Sequence, residues 1–132
     1  MSLPIVNYHS YEHFVEDLPR AEKFYTQTLG FKKIGQSSAQ SDQHTGMKSL
    51  GLAGGKEIHL ILTCPLTDWS VGAKYLKMHP EGIGFLNFRV SDLDQTVSFL
   101  QERKATFLFE PQQNEDQHGR LKQVAIATVL SD

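Results

Sequence analysis

The chain has 132 residues, of which 39% are hydrophobic, and a formal net charge of −2. That length suits one domain with an ordinary apolar core. The balanced charge, with no basic run carrying interleaved aromatics, excludes a charge-driven nucleic-acid or membrane-surface binder. No apolar stretch approaches membrane-spanning length. The one cysteine, Cys64, has no intrachain disulfide partner, and Met1-Ser2-Leu3-Pro4 lacks the charged-then-apolar run of a signal peptide. Both features fit a cytoplasmic location.

Alternation from Tyr8 to Val15 predicts a strand. Asp17 is placed to cap a helix, and Pro19 is tolerated in a first turn. Ala21, Phe24, Tyr25 and Thr28 share one helical face, which Gly30 ends. Strands are expected over Phe31 to Ser37, Met47 to Ala53 and Glu57 to Thr63, with a turn at Gly54-Gly55. In the last of these, Ile58, Leu60 and Leu62 share one face. The polar stretch from Gln36 to His44 reads as a loop or hairpin tip. Trp69, Ala73, Leu76 and Lys77 carry helical spacing within Thr67 to His79. Phe85 to Val90 follows as a strand, with Leu86, Phe88 and Val90 alternating inward. Asp92 and Gln95 form a capping-box pattern ahead of the apolar face Leu93, Val97, Leu100. Thr106 to Glu110 reads as a strand closed by Pro111, Gln112 to Arg120 as a loop or hairpin tip, and Leu121 to Leu130 as a strand.

The chain also repeats itself. Val15-Glu16-Asp17-Leu18 with Phe24 returns, at one constant offset, as Val90-Ser91-Asp92-Leu93 with Phe99. Shared strand-to-helix chemistry would produce a similar match, but a duplicated unit accounts for the order of the flanking elements as well. The expected fold is α+β: two βαβββ modules forming a curved mixed sheet with helices outside. Module one covers about 5–66, a connecting helix 67–80 and module two 81–132, together a single domain. The second module comes out one strand short, unless its last stretch divides differently. A sheet lacking its last strand exposes unpaired backbone groups. The sequence is therefore expected to be part of a longer protein or to borrow an edge from a partner, and a homo-oligomer is more natural than a monomer.

The duplicated unit resembles the vicinal oxygen chelate superfamily, which groups glyoxalases, bleomycin-resistance proteins and extradiol dioxygenases. More closely, the chain is similar to the N-terminal half of the 4-hydroxyphenylpyruvate dioxygenase family. The similar residues include His9-Ser10, Ala21-Glu22-Lys23-Phe24-Tyr25, Leu29-Gly30-Phe31, Gly55-Lys56 and Ile61-Leu62-Thr63-Cys64-Pro65-Leu66. They continue through His79-Pro80-Glu81-Gly82, Glu110-Pro111 and Glu115-Asp116-Gln117-His118-Gly119. The resemblance implies a parent enzyme of tyrosine catabolism that converts 4-hydroxyphenylpyruvate to homogentisate. Its Fe(II), held by two His and one Glu, lies in the C-terminal half. The N-terminal half is implied to be structural and part of the oligomer contact, with a C-terminal catalytic domain as its partner.

A facial metal site needs three ligands converging from different strands. The positions that metal-binding relatives give to a His ahead of each repeated Asp fall here on Ser10 and Phe85. Neither is a competent ligand, so no metal and no catalytic residue are assigned to this chain. Strand alternation points Ser10, Glu12 and Phe14 into a groove, and His59 with them. Glu12, His59, Asn87 and Arg89 are the candidate groove residues; Arg89 is suited to hold a carboxylate bidentately, and a small aromatic acid is a possible ligand. His9 and His13 share the opposite face of their strand, packed toward helices. His44, His79 and His118 read as loop histidines, and Cys64 as a buried thiol with no base beside it. Gly51, Gly54 and Gly55 lack the strand-loop-helix context of a phosphate loop. Three functions compete: a non-catalytic half of an iron dioxygenase, a stand-alone metal-dependent enzyme of the superfamily, and a metal-free small-molecule binder of the bleomycin-resistance type.

Overall fold

The computed structural model describes residues 5–109, 112–116 and 119–127. Among them are seven strands: β1 (Ile5–Phe14), β2 (Lys32–Gln36), β3 (Met47–Gly54), β4 (Ile58–Pro65), β5 (Gly82–Val90), β6 (Gln112–Asp116) and β7 (Gly119–Gln123). Four α-helices join them: α1 (Leu18–Lys23), α2 (Ala39–Thr45), α3 (Val71–Met78) and α4 (Leu93–Glu102). No helix among the described residues is long and apolar enough to cross a membrane. The chain divides into two compact units. One is Tyr8–Phe88, and the described residues of the other lie within 5–7 and 89–127.

In the first unit the sheet runs β2-β3-β4-β1-β5. It is mixed: β2, β3 and β4 are antiparallel, and β1 lies parallel to β4. β4 lies between β3 and β1, where Leu60 pairs with Leu52 and Tyr11, and Leu62 with Leu50 and His13. Val15, Leu18, Leu50, Leu52, Leu60 and Leu62 form the buried core, with Tyr11, Ala21, Tyr25, Phe31 and Cys64 packed against it. The alternation of β1, β3 and β4 thus delivers one apolar face to α1, as their period-two pattern requires. Ile58 does not join Leu60 and Leu62; it is 49% exposed, because it opens the strand beyond the reach of the core.

Local signals set the helix ends. Asp17 caps α1, its carboxylate accepting from the Arg20 N–H at 3.1 Å. One π turn, Phe24–Thr28, follows, and Gly30 closes it at φ +76, a conformation that favours glycine. Ser70 caps α3 by accepting from the Ala73 N–H, so Thr67 and Trp69 precede the helix instead of lying in it. The expected loop at Gln36 to His44 is largely α2. Ser38 caps it, and Gly46 ends it in the left-handed region at φ +70. Its residues are polar all round, so no apolar stripe announced it. Buried Asp42 holds it to the sheet, accepting from the Ser37 hydroxyl and pairing with Lys48 at 3.6 Å.

β5 reverses the expected alternation. Leu86 and Phe88 are 58% and 54% exposed, while Phe85 and Asn87 are half-buried. The inward positions are set by the neighbours on β1: Phe85 stacks edge-on against Phe14, and Asn87 bonds Ser10.

In the second unit, Asp92 caps α4 by accepting from the Gln95 N–H at 3.0 Å, as its capping-box pattern requires. The Arg103 guanidinium lies 4.0 Å over the Phe99 ring. β6 and β7 form an antiparallel pair where a loop or hairpin tip was expected. The expected strand at Thr106 to Glu110 is reduced to one bridge, Phe107 to Ile126, flanked by backbone bonds Leu108 N–H to Ala125 and Ala127 N–H to Thr106. The expected last strand is represented by β7 and Ile126. Glu110, Pro111, Gln117, His118 and Thr128 to Leu130 lie outside the described residues. The α+β class, with a mixed sheet and helices packed on it, stands.

Candidate functional site

The site is built on the sheet face opposite the leucine core. β1 and β4 pair Glu12 with Ile61 and Phe14 with Thr63. β3 and β4 pair Ser49 with Thr63, Gly51 with Ile61 and Ala53 with His59. Because side chains alternate, this face presents Ser10, Glu12 and Phe14 from β1 and His59, Ile61 and Thr63 from β4. Ser49 and Gly51 complete it from β3. Glu12 and His59 therefore lie where their strand alternation put them.

Two polar chains run across this face. In the first, the Thr63 hydroxyl donates to Glu12 Oε2 at 2.9 Å and lies 2.7 Å from the Ser49 hydroxyl. Having given its proton to the carboxylate, Thr63 accepts from Ser49. Burial pushes the Glu12 carboxyl above its ordinary value of 4.5, and the Thr63 bond opposes that rise. Folding thus holds the Glu12 proton more tightly than the unfolded chain does. The stability this group contributes is fully present below the unfolded value and is lost as pH rises through the raised folded one. Glu12→Gln keeps an acceptor for Thr63 and removes the buried charge. The variant is expected to unfold at a higher urea midpoint than the parent at neutral pH, with the gap closing below about pH 4. Urea melts at two pH values measure this.

The second chain links β5 to β1. Asn87 Nδ2 donates to Ser10 Oγ at 3.1 Å, and Ser10 Oγ lies 2.9 Å from His9 Nδ1. Ser10 is fully buried. The His9 ring sits 6.3 Å from the His59 ring, centre to centre. So His9 is not paired with His13 on the helix side as expected. His13 alone faces that side, 3.4 Å from the Tyr25 hydroxyl, and burial lowers its basicity while Glu81 opposes the drop. Arg89 is exposed and belongs to the second unit, whereas Glu12, His59 and Asn87 belong to the first.

A cavity of about 390 Å³ opens beside this face. Ile34, Gly51 and Ile61 line its apolar part, and His9, Ser10 and His59 its polar end. A second cavity, about 530 Å³, lies at Leu18, Leu50 and Cys64. Its lysines are already engaged, Lys48 with Asp42 and Lys33 with Glu22. Burial pushes the Cys64 thiol up, which suits an inert thiol. His44 is exposed in the last turn of α2, and His79 stacks on Tyr75 with ring centres 4.7 Å apart.

The metal positions of the resemblance do not fit a divalent ion. Ser10 offers a neutral hydroxyl already held by Asn87, and Phe85 packs its ring 5.9 Å from that of Phe14. Among the described residues, no three His, Cys, Asp or Glu side chains group as a metal site. Sequence reasoning missed Thr63 and Ser49. Their signal was available: Thr63 follows His59 and Ile61 at strand spacing, so it shares their face.

The fold has close counterparts. A methylmalonyl-CoA epimerase from Mycobacterium tuberculosis matches with a TM-score of 0.77 at 24% identity, over 95% of this chain and 82% of that one. A Streptomyces coelicolor methylmalonyl-CoA epimerase in complex with 2-nitronate-propionyl-CoA matches with a TM-score of 0.73 at 19% identity, over 92% and 88% of the two chains. A hypothetical protein from Bacillus halodurans matches with a TM-score of 0.72 at 22% identity, over 89% and 83%. At such identities the likeness is one of fold. The sequence itself carries the assignment further, since the family profile matches residues 7–123. With its mixed sheet, its outer helices and most of its length matched, the chain belongs to the Glyoxalase/Bleomycin resistance protein/Dioxygenase superfamily.

Proposed function

We infer that the chain is a metal-free module of this superfamily, acting as a non-catalytic N-terminal-type domain of a 4-hydroxyphenylpyruvate dioxygenase-like protein. In that role it supplies scaffold and assembly contacts to a C-terminal catalytic domain or to further copies of itself. Any Fe(II) of the parent would be held elsewhere. One observation carries this reading. The two positions where ligands would converge hold a buried serine bonded to Asn87 and a phenylalanine seated on Phe14. A ring at the second position fills space that a bound ion and its open coordination sites would need. Glu12 and His59 alone would supply too few ligands.

A stand-alone enzyme of the superfamily that depends on a metal is disfavoured by the same two residues. Titration of the purified chain with Fe(II), Co(II) or Zn(II) in a calorimeter is expected to give no stoichiometric binding. Micromolar binding lost in His59→Ala would overturn the proposal, because a ligand set would then exist on this face. A stable association between this chain and a His- and Glu-bearing dioxygenase module, measured by analytical ultracentrifugation, is the positive result expected.

A further inference from the structure

We propose that the cavity beside β1, β3 and β4 binds a small carboxylic acid with an apolar body, and does so without a metal ion. The proposal rests on the metal-free reading above and names the ligand class of the same sheet face.

Shape and chemistry select the class. About 390 Å³ is within the ordinary range for small-molecule sites and too small for a folded partner. Ile34 and Ile61 form walls, and Gly51 leaves the space between them open; a methyl built on Gly51 would come 3.4 Å from Ile34 Cγ1. The walls thus suit a hydrocarbon group. The cavity's polar side chains are His9, Ser10, Gln36, Ser37, Ser49 and His59, of which Gln36, Ser37 and Ser49 bond Lys33, Asp42 and Thr63; among the described residues no carboxylate of Asp or Glu lines the cavity. Imidazole N–H groups donate in the neutral ring and donate more strongly in the charged one. The natural complement is an anionic acceptor, and a carboxylate fits.

The polar end is also pre-arranged. Asn87 fixes Ser10 from the neighbouring strand, and Ser10 fixes one edge of the His9 ring. His59 is set opposite by its register with Ala53. Such fixing lowers the ordering cost that a ligand would otherwise meet. Glu12, the nearest acid on this face, is turned to Thr63. The carboxylate is therefore placed at the His59 end, away from Glu12, and the apolar body along Ile61, which lies opposite Glu12 in register.

Cyclohexylacetate is a suitable probe, with 2-cyclohexylethanol as its uncharged counterpart, titrated in the presence of EDTA. The acid is expected to bind, with the alcohol about tenfold weaker or more. In isotope-labelled protein, shifts should concentrate at His59, Ile61 and Gly51, a readout that requires no variant. His59→Gln should weaken acid binding about tenfold while leaving the alcohol unchanged. Ile61→Trp, if its melting curve matches the parent, should abolish both. Equal binding of acid and alcohol, or shifts elsewhere, would overturn the proposal. No binding of either probe, alongside a blank metal titration, would sink it and leave the scaffold reading standing. Binding that appears only after Zn(II) or Fe(II) is added would overturn both.

Discussion

Phe14→Ala is expected to lower the free energy of unfolding by about 3–5 kcal/mol, the range for deleting a buried aromatic ring. The ring is 1% exposed. It lies 5.1 Å from the Tyr75 ring and 5.9 Å from that of Phe85, in tilted and edge-on arrangements that aromatic pairs favour. Two glycines shape its slot. A methyl on Gly72 would come 3.0 Å from the ring, and one on Gly84 would overlap it. Neither glycine has a side chain to swing into the void, so the cavity left by alanine stays open and the loss falls toward the upper end. Urea melts of parent and variant measure the change. A loss below about 1 kcal/mol would mean that α3 and β5 close over the gap, and that the slot is less rigid than these contacts imply. The same geometry explains why β5 begins Gly82-Ile83-Gly84: a strand interior with two glycines is weak in propensity, but the second lets the sheet approach Phe14.

Much of this fold was legible because short-range chemistry and long-range packing agree. Asp17 and Asp92, matched by the repeat, both cap helices through the N–H three residues on. The period-two pattern of Leu60 and Leu62 put both on one face, and they form the core with Leu50, Leu52, Val15 and Leu18. What escaped has a physical reason in each case. α2 is held by Ser38, Gly46 and Asp42, not by an apolar stripe, so periodicity does not reveal it. In β5 the hydrophobic residues Leu86 and Phe88 face outward while Asn87 turns in, because what decides the face is the register against β1.

The site divides along the same line. Alternation within one strand sufficed to place Glu12 and His59 on the face opposite the leucines. The Asn87–Ser10–His9 chain depends on β5 lying beside β1, a neighbour relation between segments far apart in sequence. No spacing rule encodes it. Arg89 looked equivalent to Asn87 because both follow Phe85 by even steps, yet Arg89 is exposed in the second unit.

Leu62→Ala is expected to cost about 2–5 kcal/mol, and Ile58→Ala on the same strand less than about 1 kcal/mol. Leu62 is fully buried and pairs with Leu50 on one side and His13 on the other. Its neighbours in the core include Val15 and Leu18, residues on the path from β1 into α1, so the void would sit beneath the helix and not at a sheet edge. The flanking strands are hydrogen-bonded in register and cannot move in to fill it. Ile58 is 49% exposed and loses little when truncated. The pair of variants tests how far along β4 the covered face runs. If Ile58 proved as costly as Leu62, the covered face of β4 would reach its first residue, further along the strand than the exposure of Ile58 implies. Equal midpoints for the two variants in urea would therefore overturn the boundary of the core drawn between Ile58 and Leu60.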